Sequence, residues 1–339
     1  MKRSEKLFTV LRNSLPSPFG IALILSIVTF LAAVYFTEPV SKNEYRFFEV
    51  LSFWEKGFWD LLKFGMQMIL MLVLGHTLAL TKPVDRFIRL ISQSGKNTAS
   101  AALTVTFFTV IVSLFNWGLG LIFGAVLARK TGEFAAEKGY KLNYALVGAA
   151  GYSGLMVWHG GLSGSATLKV AEEGHFLVDT TGVIPISETI FSSMNMVASV
   201  SVIVLLPLLM FLIGKKVKSR KVQIRSISPK ERLKEELSGA EKLDVSSLFA
   251  LFLSIPLLTA GIYKAYQAGN MSVIDLNYIN LILFGLGMLL HGTIASFRKA
   301  VTEAIKGATG ILIQFPLYAG IMGIMKYSGL TDLISDFFV

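Results

Sequence analysis

Long apolar runs alternate with short charged segments along most of this chain. Each run is close to the roughly 20 residues that a helix needs to cross a bilayer. Six runs predict one membrane crossing each: Phe19–Phe36, Leu61–Leu80, Ile186–Ile213, Val245–Tyr263, Leu276–Ser296 and Gly307–Met325. Two other runs, Ala99–Ala128 and Leu142–Val170, are interrupted by polar residues and glycines and predict more complex elements.

The run Ala99–Ala128 predicts a re-entrant helical hairpin, which enters the membrane and returns on the same side. It has 30 residues with Asn116 near the middle, and basic residues flank it at Lys96 and Arg129. Because basic residues concentrate in cytoplasmic segments, both flanks are expected in the cytoplasm. A turn at Asn116–Gly120 satisfies this condition, and one long tilted helix is the alternative.

The run Leu142–Val170 contains a glycine-rich stretch, Gly148–Ser165, with six glycines and three serines among 18 residues. This pattern predicts a membrane helix that unwinds at Gly160-Gly161 and restarts at Ala166. Irregular backbone at membrane depth persists only where protein or a water-filled cavity surrounds it, and transporters place their substrates at such breaks. A glycine-rich loop between two crossings is the alternative.

The charges of the connecting segments predict the side of the membrane that each one occupies. Thr37–Asp60 is acidic and carries two tryptophans, which is typical of an outer loop. Gly214–Asp244 holds ten Lys or Arg against five Asp or Glu, so it is predicted to be cytoplasmic, with a short surface helix at Ser228–Leu237. The N-terminus is then also cytoplasmic. Three regions result: a membrane repeat at 1–213, the basic loop at 214–244 and the start of a second repeat at 245–339.

Composition supports a membrane protein and excludes several other classes. Of the 339 residues, 53% are hydrophobic and 16% are charged, and the mean hydropathy is +0.62, whereas soluble domains carry about 25% charged residues. The net charge of +10 lies between apolar runs and not along one face, so nucleic-acid binding is not expected. The prediction is an all-α polytopic membrane protein with about seven crossing helices and the re-entrant hairpin, with the lipid bilayer as its surroundings.

Few residue types remain that could carry chemistry. The chain has no cysteine, which excludes thiolate metal sites, and it has no Walker A or HExxH motif. No cofactor, metal or enzymatic activity is therefore expected. The substrate-binding candidates are Asn116, Gly118, His159, Ser163, Gly164, Ser165 and Gln314, and the cation-coupling candidates are Ser113, Asn116 and Gln67.

Uncharged groups can bind a small anion at a helix break. Ser163 or Ser165 is expected to cap the helix that restarts at Ala166, whose free N–H groups and positive dipole end would hold a carboxylate. Asn116 has a simpler alternative, which is to cap the hairpin turn. For Gln67 and Asn195, the alternative is a hydrogen bond between helices.

A weak internal repeat relates two spans that run in opposite directions. Phe64–Gln67 resembles Ile311–Gln314, and the last span is expected to be interrupted at Gln314-Phe315-Pro316. Such an echo fits the inverted repeats of secondary transporters. If the repeat holds, the partner of the Asn116 turn lies beyond Val339, so we expect a C-terminally truncated carrier that inserts but does not transport alone.

Four segments together resemble the bacterial short-chain fatty acid transporter family: FWDLLKFGMQMILMLVLGH at 58–76, FNWGLGLIFGAVLAR at 115–129, GGLSGSATL at 160–168 and TGILIQFPLYAGI at 309–321. The resemblance implies a secondary carrier of small monocarboxylates, such as acetoacetate or butyrate, in the inner membrane. It also implies a distant similarity to dicarboxylate carriers with inverted repeats and paired hairpins, and a second hairpin and broken helix that this chain lacks.

The coupling ion is expected to be Na⁺ or H⁺, and the sequence leaves homo-oligomerisation open. Two other classes of function remain as alternatives. An intramembrane enzyme acting on a lipid or acyl group would bring an acid–base or metal cluster to one depth of the membrane. A passive anion channel would show flux that is insensitive to ion gradients.

Overall fold

The structure is a computed structural model that describes residues 16–40, 45–175, 177–222, 224, 239 and 241–338. The surface helix predicted at Ser228–Leu237 lies outside these residues. The helices are α1 Pro18–Phe36, α2 Arg46–Phe58, α3 Leu62–Ala79, α4 Lys82–Ser92, α5 Thr98–Phe115, α6 Trp117–Lys138, α7 Tyr144–Tyr152, α8 Ser165–Lys169, α9 Val178–Thr181, α10 Ser193–Lys216, α11 Glu241–Asp244, α12 Ser247–Ala268, α13 Leu276–His291, α14 Ile294–Ser328 and α15 Leu330–Phe338. The 3₁₀ helices are Ser153–Gly160 and Met271–Val273, and the strands are β1 Lys141–Leu142 and β2 Arg220–Lys221.

The helices confirm the predicted class, an all-α polytopic membrane protein. Within the described ranges, six helices are long and apolar enough to cross a membrane, namely α1, α3, α5, α10, α12 and α14. A seventh apolar helix, α13, is shorter. Most of their ends lie within a few residues of those expected from the hydrophobic pattern.

Three predicted boundaries are wrong. The last span is not interrupted at Gln314–Pro316, because α14 continues through Pro316 as one helix of 35 residues. Proline removes only one backbone donor, and membrane helices tolerate this when neighbouring groups compensate. The segment 297–306, expected to connect the spans that end at Ser296 and begin at Gly307, is likewise helical, and the chain turns earlier at Gly292, whose φ of +71° suits glycine. The span expected from Ile186 begins at Ser193.

The predicted outer loop Thr37–Asp60 also contains a helix, α2. Its Glu49 is only 2% exposed and forms a salt bridge with Arg46. Arg46 also donates to the Thr37 hydroxyl and, at 3.3 Å, to the Ala33 carbonyl at the end of α1. The acidic character of the segment therefore reflects in part a buried ion pair, which a reading of charge alone does not reveal.

Contacts divide the chain into two units, of which the first is Met1–Ile69 with Ala308–Val339. Here α2 packs on α14 through glycines. A Cβ atom at Gly57 would lie 2.5 Å from the Cα atom of Gly323, so the two backbones nearly touch. Small residues allow such close helix packing without a hydrophobic driving force. The buried core of this unit includes Ala33, Val50, Ile324 and Leu330.

The second unit, Leu70–Gly307, is built on the antiparallel pair α5 and α6. A Cβ atom at Gly124 would lie 2.7 Å from Cγ2 of Thr109, and one at Gly120 would lie 2.8 Å from Cβ of Ser113. These pairs are placed symmetrically about residues 116 and 117, so the chain reverses at that point. The structure thus has a helical hairpin where the sequence predicts one. That both of its ends lie in the cytoplasm stays a prediction.

Three chain segments meet at the open end of this hairpin. The N–H of Asn143 donates to the Thr98 hydroxyl at 2.8 Å, and the Thr98 and Ser219 hydroxyls are 2.7 Å apart. Strands β1 and β2 pair antiparallel beside them. On α6, burial raises the pKa of Glu133, but hydrogen bonds from Lys130 and Arg129 outweigh it and lower the pKa below its ordinary value. This end of the unit therefore carries many of the basic residues that the sequence places in the cytoplasm.

Candidate functional site

The hairpin turn is made by one extended residue, Asn116, with φ −150° and ψ 122°. Its side chain is fully buried. Its Oδ1 accepts from the N–H of Leu119 at 2.7 Å, which caps α6, and its Nδ2 contacts the sulfur of Met71 at 2.9 Å. The turn therefore packs closely on α3. A Cβ atom at Gly118 would lie only 2.9 Å from the Cα atom of Leu72.

The glycine-rich stretch is a broken helix, as predicted. Helix α7 continues into the 3₁₀ helix Ser153–Gly160, the backbone is irregular from Gly161 to Gly164, and the five-residue α8 follows. Glycines allow this stretch to approach the hairpin. A Cβ atom at Gly151 would lie 2.5 Å from the carbonyl oxygen of Gly124.

Two hydrogen bonds join the hairpin turn to the helix break. The N–H of Leu162 donates to the carbonyl of Leu114 at 2.7 Å, and the N–H of Trp117 donates to the Ser163 hydroxyl at 2.9 Å. We call residues 113–120 and 158–167 the junction. The sequence predicted each break separately, and the structure places them against each other.

The expected role of the serines as helix caps is wrong. The N-cap of α8 is Gly164, and no side chain makes a cap hydrogen bond there. Ser163 is instead fully buried and accepts from Trp117, the first residue of α6, whose N–H has no partner within its own helix. A helix of five residues also has little macrodipole. The idea that the start of α8 attracts a carboxylate therefore loses its support.

The remaining candidates in the second unit lie around the break. His159 is exposed, and its ring stacks on Trp158 at 5.3 Å. Ser165 begins α8, and Gly164 has no room for a side chain, because a Cβ atom there would lie 2.5 Å from the His159 carbonyl oxygen. Asn195 donates to the carbonyl of Gly160 at 3.0 Å, which matches its interpretation as a bond between helices.

The two glutamines belong to the other unit. Gln67 is buried at 4% exposure, and Gln314 accepts from the Tyr318 hydroxyl at 3.4 Å. Beside them, the rings of Phe64 and Phe315 stack at 5.9 Å. Phe64 begins the first segment of the predicted internal echo, and Phe315 directly follows the second, so the two segments have neighbouring residues in contact. The candidates of the junction lie in the second unit, and the two glutamines lie in the first.

Sequence reasoning missed several buried polar groups in the second unit. The indoles of Trp117 and Trp158 stack at 4.6 Å with an angle of 9° between the rings. Thr106 and Thr109 are fully buried, and their hydroxyls have no hydrogen-bond partner among the described residues. Lys169 at the end of α8 is 8% exposed and donates to Glu172 at 2.7 Å. The spacing of Thr106 and Thr109, three residues apart in an apolar run, is the sequence signal that could have revealed the buried hydroxyls.

The junction has no permanently charged side chain. Residues 113–120 and 158–167 contain no Asp, Glu, Lys or Arg, and His159 is their one titratable residue. Among the described residues, no three His, Cys, Asp or Glu side chains form a group that could hold a metal ion. The chemistry available at the junction is therefore hydrogen bonding by backbone N–H, hydroxyl, amide, imidazole and indole groups, together with apolar contact.

Comparison with known proteins places the chain in a family. A family model described as "Short chain fatty acid transporter" matches residues 1–339. A relative from Escherichia coli (strain K12) is 33% identical over 337 residues, which cover 96% of this chain and 72% of the relative. One from Haemophilus influenzae is 32% identical over 349 residues, covering 99% and 75%. Both have names that end in "short-chain fatty acid transporter". No solved structure matches. The chain belongs to the short-chain fatty acid transporter family.

Proposed function

We propose that this chain binds short-chain monocarboxylates, such as butyrate or acetoacetate, at the junction and carries them across the bacterial inner membrane. The observation that supports the proposal is the contact between two backbone breaks, made by Trp117 with Ser163 and by Leu162 with Leu114. Regular helices satisfy their own backbone groups, whereas breaks leave groups available for a ligand. Membership of the family supports the transporter class.

A junction without Lys or Arg suits a carried anion. A buried Lys or Arg inside a membrane is costly, and it would bind a carboxylate strongly enough to slow its release. Hydrogen bonds from neutral donors contribute about 0.5–1.5 kcal/mol each, or 1.5–3 kcal/mol when the acceptor is charged. Several of them give an affinity in a range that permits both capture and release.

We further propose Na⁺ as the coupling ion. The junction offers oxygen atoms, including the Ser113 hydroxyl and the amide of Asn116. It contains no Asp or Glu, and His159 is the one side chain there that could relay a proton. Hard cations prefer such oxygen ligands. The hairpin is proposed to be re-entrant with a cytoplasmic N-terminus, because the residues at its open end are basic.

The proposal is tested by butyrate binding to the 339-residue chain in lipid nanodiscs, with and without Na⁺ and over a range of pH. We expect saturable binding that Na⁺ strengthens. No binding under any of these conditions would refute the proposed function, and binding that strengthens only with acidity would replace Na⁺ by H⁺. Uptake by vesicles is a separate readout. Butyrate uptake above that of empty vesicles would support the transport step, and binding without such uptake would refute it.

A further inference from the structure

The stacked pair Trp117 and Trp158 leaves two hydrogen-bond donors buried without acceptors. Trp117 is 6% exposed. Trp158 is partly exposed, but its indole nitrogen is buried. Neither indole N–H has a hydrogen-bond partner among the described residues. Buried tryptophans usually place this group against an acceptor, so two unpaired ones in a single stack require an explanation.

Three acceptors of the junction already receive other donors. The Ser163 hydroxyl receives the backbone N–H of Trp117, the side-chain oxygen of Asn116 receives the N–H of Leu119, and the Leu114 carbonyl receives the N–H of Leu162. Elsewhere in the chain, the indole N–H of Trp59 donates to Glu55 at 3.2 Å. The unpaired state is thus a property of the junction and not of every tryptophan in this protein.

We propose that the indole N–H groups of Trp117 and Trp158 bind the carboxylate of the substrate. This inference rests on the proposed function and identifies the donors within the same site. An indole N–H is a donor only, so it attracts an anion and disfavours a cation. The carboxylate of a short-chain acid has two acceptor oxygens, and the apolar indole faces provide contact for its short alkyl chain.

The proposed carboxylate donors are the two indoles and not the start of α8, where the sequence predicts carboxylate binding. Lys169 is the buried cation nearest in sequence to the break, and its ammonium group already binds Glu172 at 2.7 Å. The start of α8 has no capping serine. The indole pair needs neither group, since neutral donors in a low-dielectric site form stronger hydrogen bonds than they do in water.

The test removes each N–H while it keeps the ring. Trp117 and Trp158 are replaced one at a time by 3-benzothienylalanine, which has the shape of tryptophan without its donor, and in parallel by phenylalanine. Trp59 receives the same replacements as a matched control, because its N–H is already satisfied in the first unit. Binding of butyrate and of butyramide, its uncharged amide, is measured for the 339-residue chain in nanodiscs.

We expect the parent chain to bind butyrate more tightly than butyramide. Each benzothienyl replacement at Trp117 or Trp158 should weaken butyrate binding by about tenfold or more, the effect of a hydrogen bond to a charged group, and butyramide binding by much less. Unchanged butyrate affinity would overturn the inference while leaving the proposed function in place. An equal loss of affinity for butyrate and butyramide would show that the tryptophans only pack against the ligand, and it would also overturn the inference. No butyrate binding by the parent would refute the proposed function and the inference together.

Discussion

Replacing Ser163 by alanine should loosen the contact between the hairpin turn and the helix break. Ser163 is fully buried, and its hydroxyl is the acceptor of the Trp117 N–H at 2.9 Å. Alanine removes the acceptor and leaves a buried backbone N–H unsatisfied, which costs about 1–3 kcal/mol. This cost falls on a local contact, so it should appear mainly as easier opening of the junction.

Hydrogen exchange measured by mass spectrometry in nanodiscs reports this opening. A penalty of about 1–3 kcal/mol should raise the exchange rate of the Trp117 amide by roughly 5- to 150-fold. Exchange in α12, which has no hydrogen bond to Ser163 among the described residues, should not change. Ser165→Ala is the matched control, because Ser165 begins α8 and is partly exposed. Equal exchange in the parent and Ser163→Ala would show that the hydroxyl does not hold the turn.

Three further predictions concern ligand binding, stability and membrane topology. Gly164→Val should abolish butyrate binding, because a Cβ atom there would lie 2.5 Å from the His159 carbonyl oxygen. Gly307→Val is the control and should bind butyrate like the parent, since a Cβ atom at Gly307 has no neighbouring atom within 4 Å. Equal butyrate binding by both variants would contradict the proposed site. Arg46→Ala should lower the free energy of unfolding by up to about 3–5 kcal/mol, because the buried Glu49 loses its ion pair with Arg46. Arg89→Ala, which breaks an exposed pair, should cost about 0–1 kcal/mol. Thermal unfolding in detergent compares the two variants, and similar midpoints would show that the buried pair does not stabilise the fold. Because the parent has no cysteine, single cysteines introduced by Lys96→Cys and Lys138→Cys report the side of the membrane on which each position lies. Both should react with an impermeant reagent only from the cytoplasmic side, and Gly174→Cys should react only from the outer side. Labelling of Lys96→Cys or Lys138→Cys from outside would refute the re-entrant hairpin.

Local sequence signals were sufficient to predict both breaks of the junction. Asn116 favours a turn because its side chain can cap the following helix, and it does so by accepting from Leu119. The paired glycines at 160 and 161 similarly favour an interruption. These preferences depend on neighbouring residues, so they can be read along the chain.

Contacts between distant segments could not be predicted in the same way. The sequence predicts Ser163 as a cap of the nearest helix start, but it bonds to Trp117, 46 residues away. Trp117 lies in the predicted turn and Trp158 in the predicted broken helix, and only the packing of α6 against the 3₁₀ helix brings their rings together. Pro316 shows the opposite effect, since its strong local preference for a break is overridden within α14.

Photo-crosslinking with a diazirine analogue of butyrate tests the central claim most directly, because it locates the bound carboxylate on the chain. The analogue is irradiated with the 339-residue chain in nanodiscs, and the labelled peptides are identified by mass spectrometry. We predict labelling within residues 113–120 or 158–167 that excess butyrate suppresses and butyramide suppresses less. Butyrate-sensitive labelling confined to residues 241–338 would contradict the account.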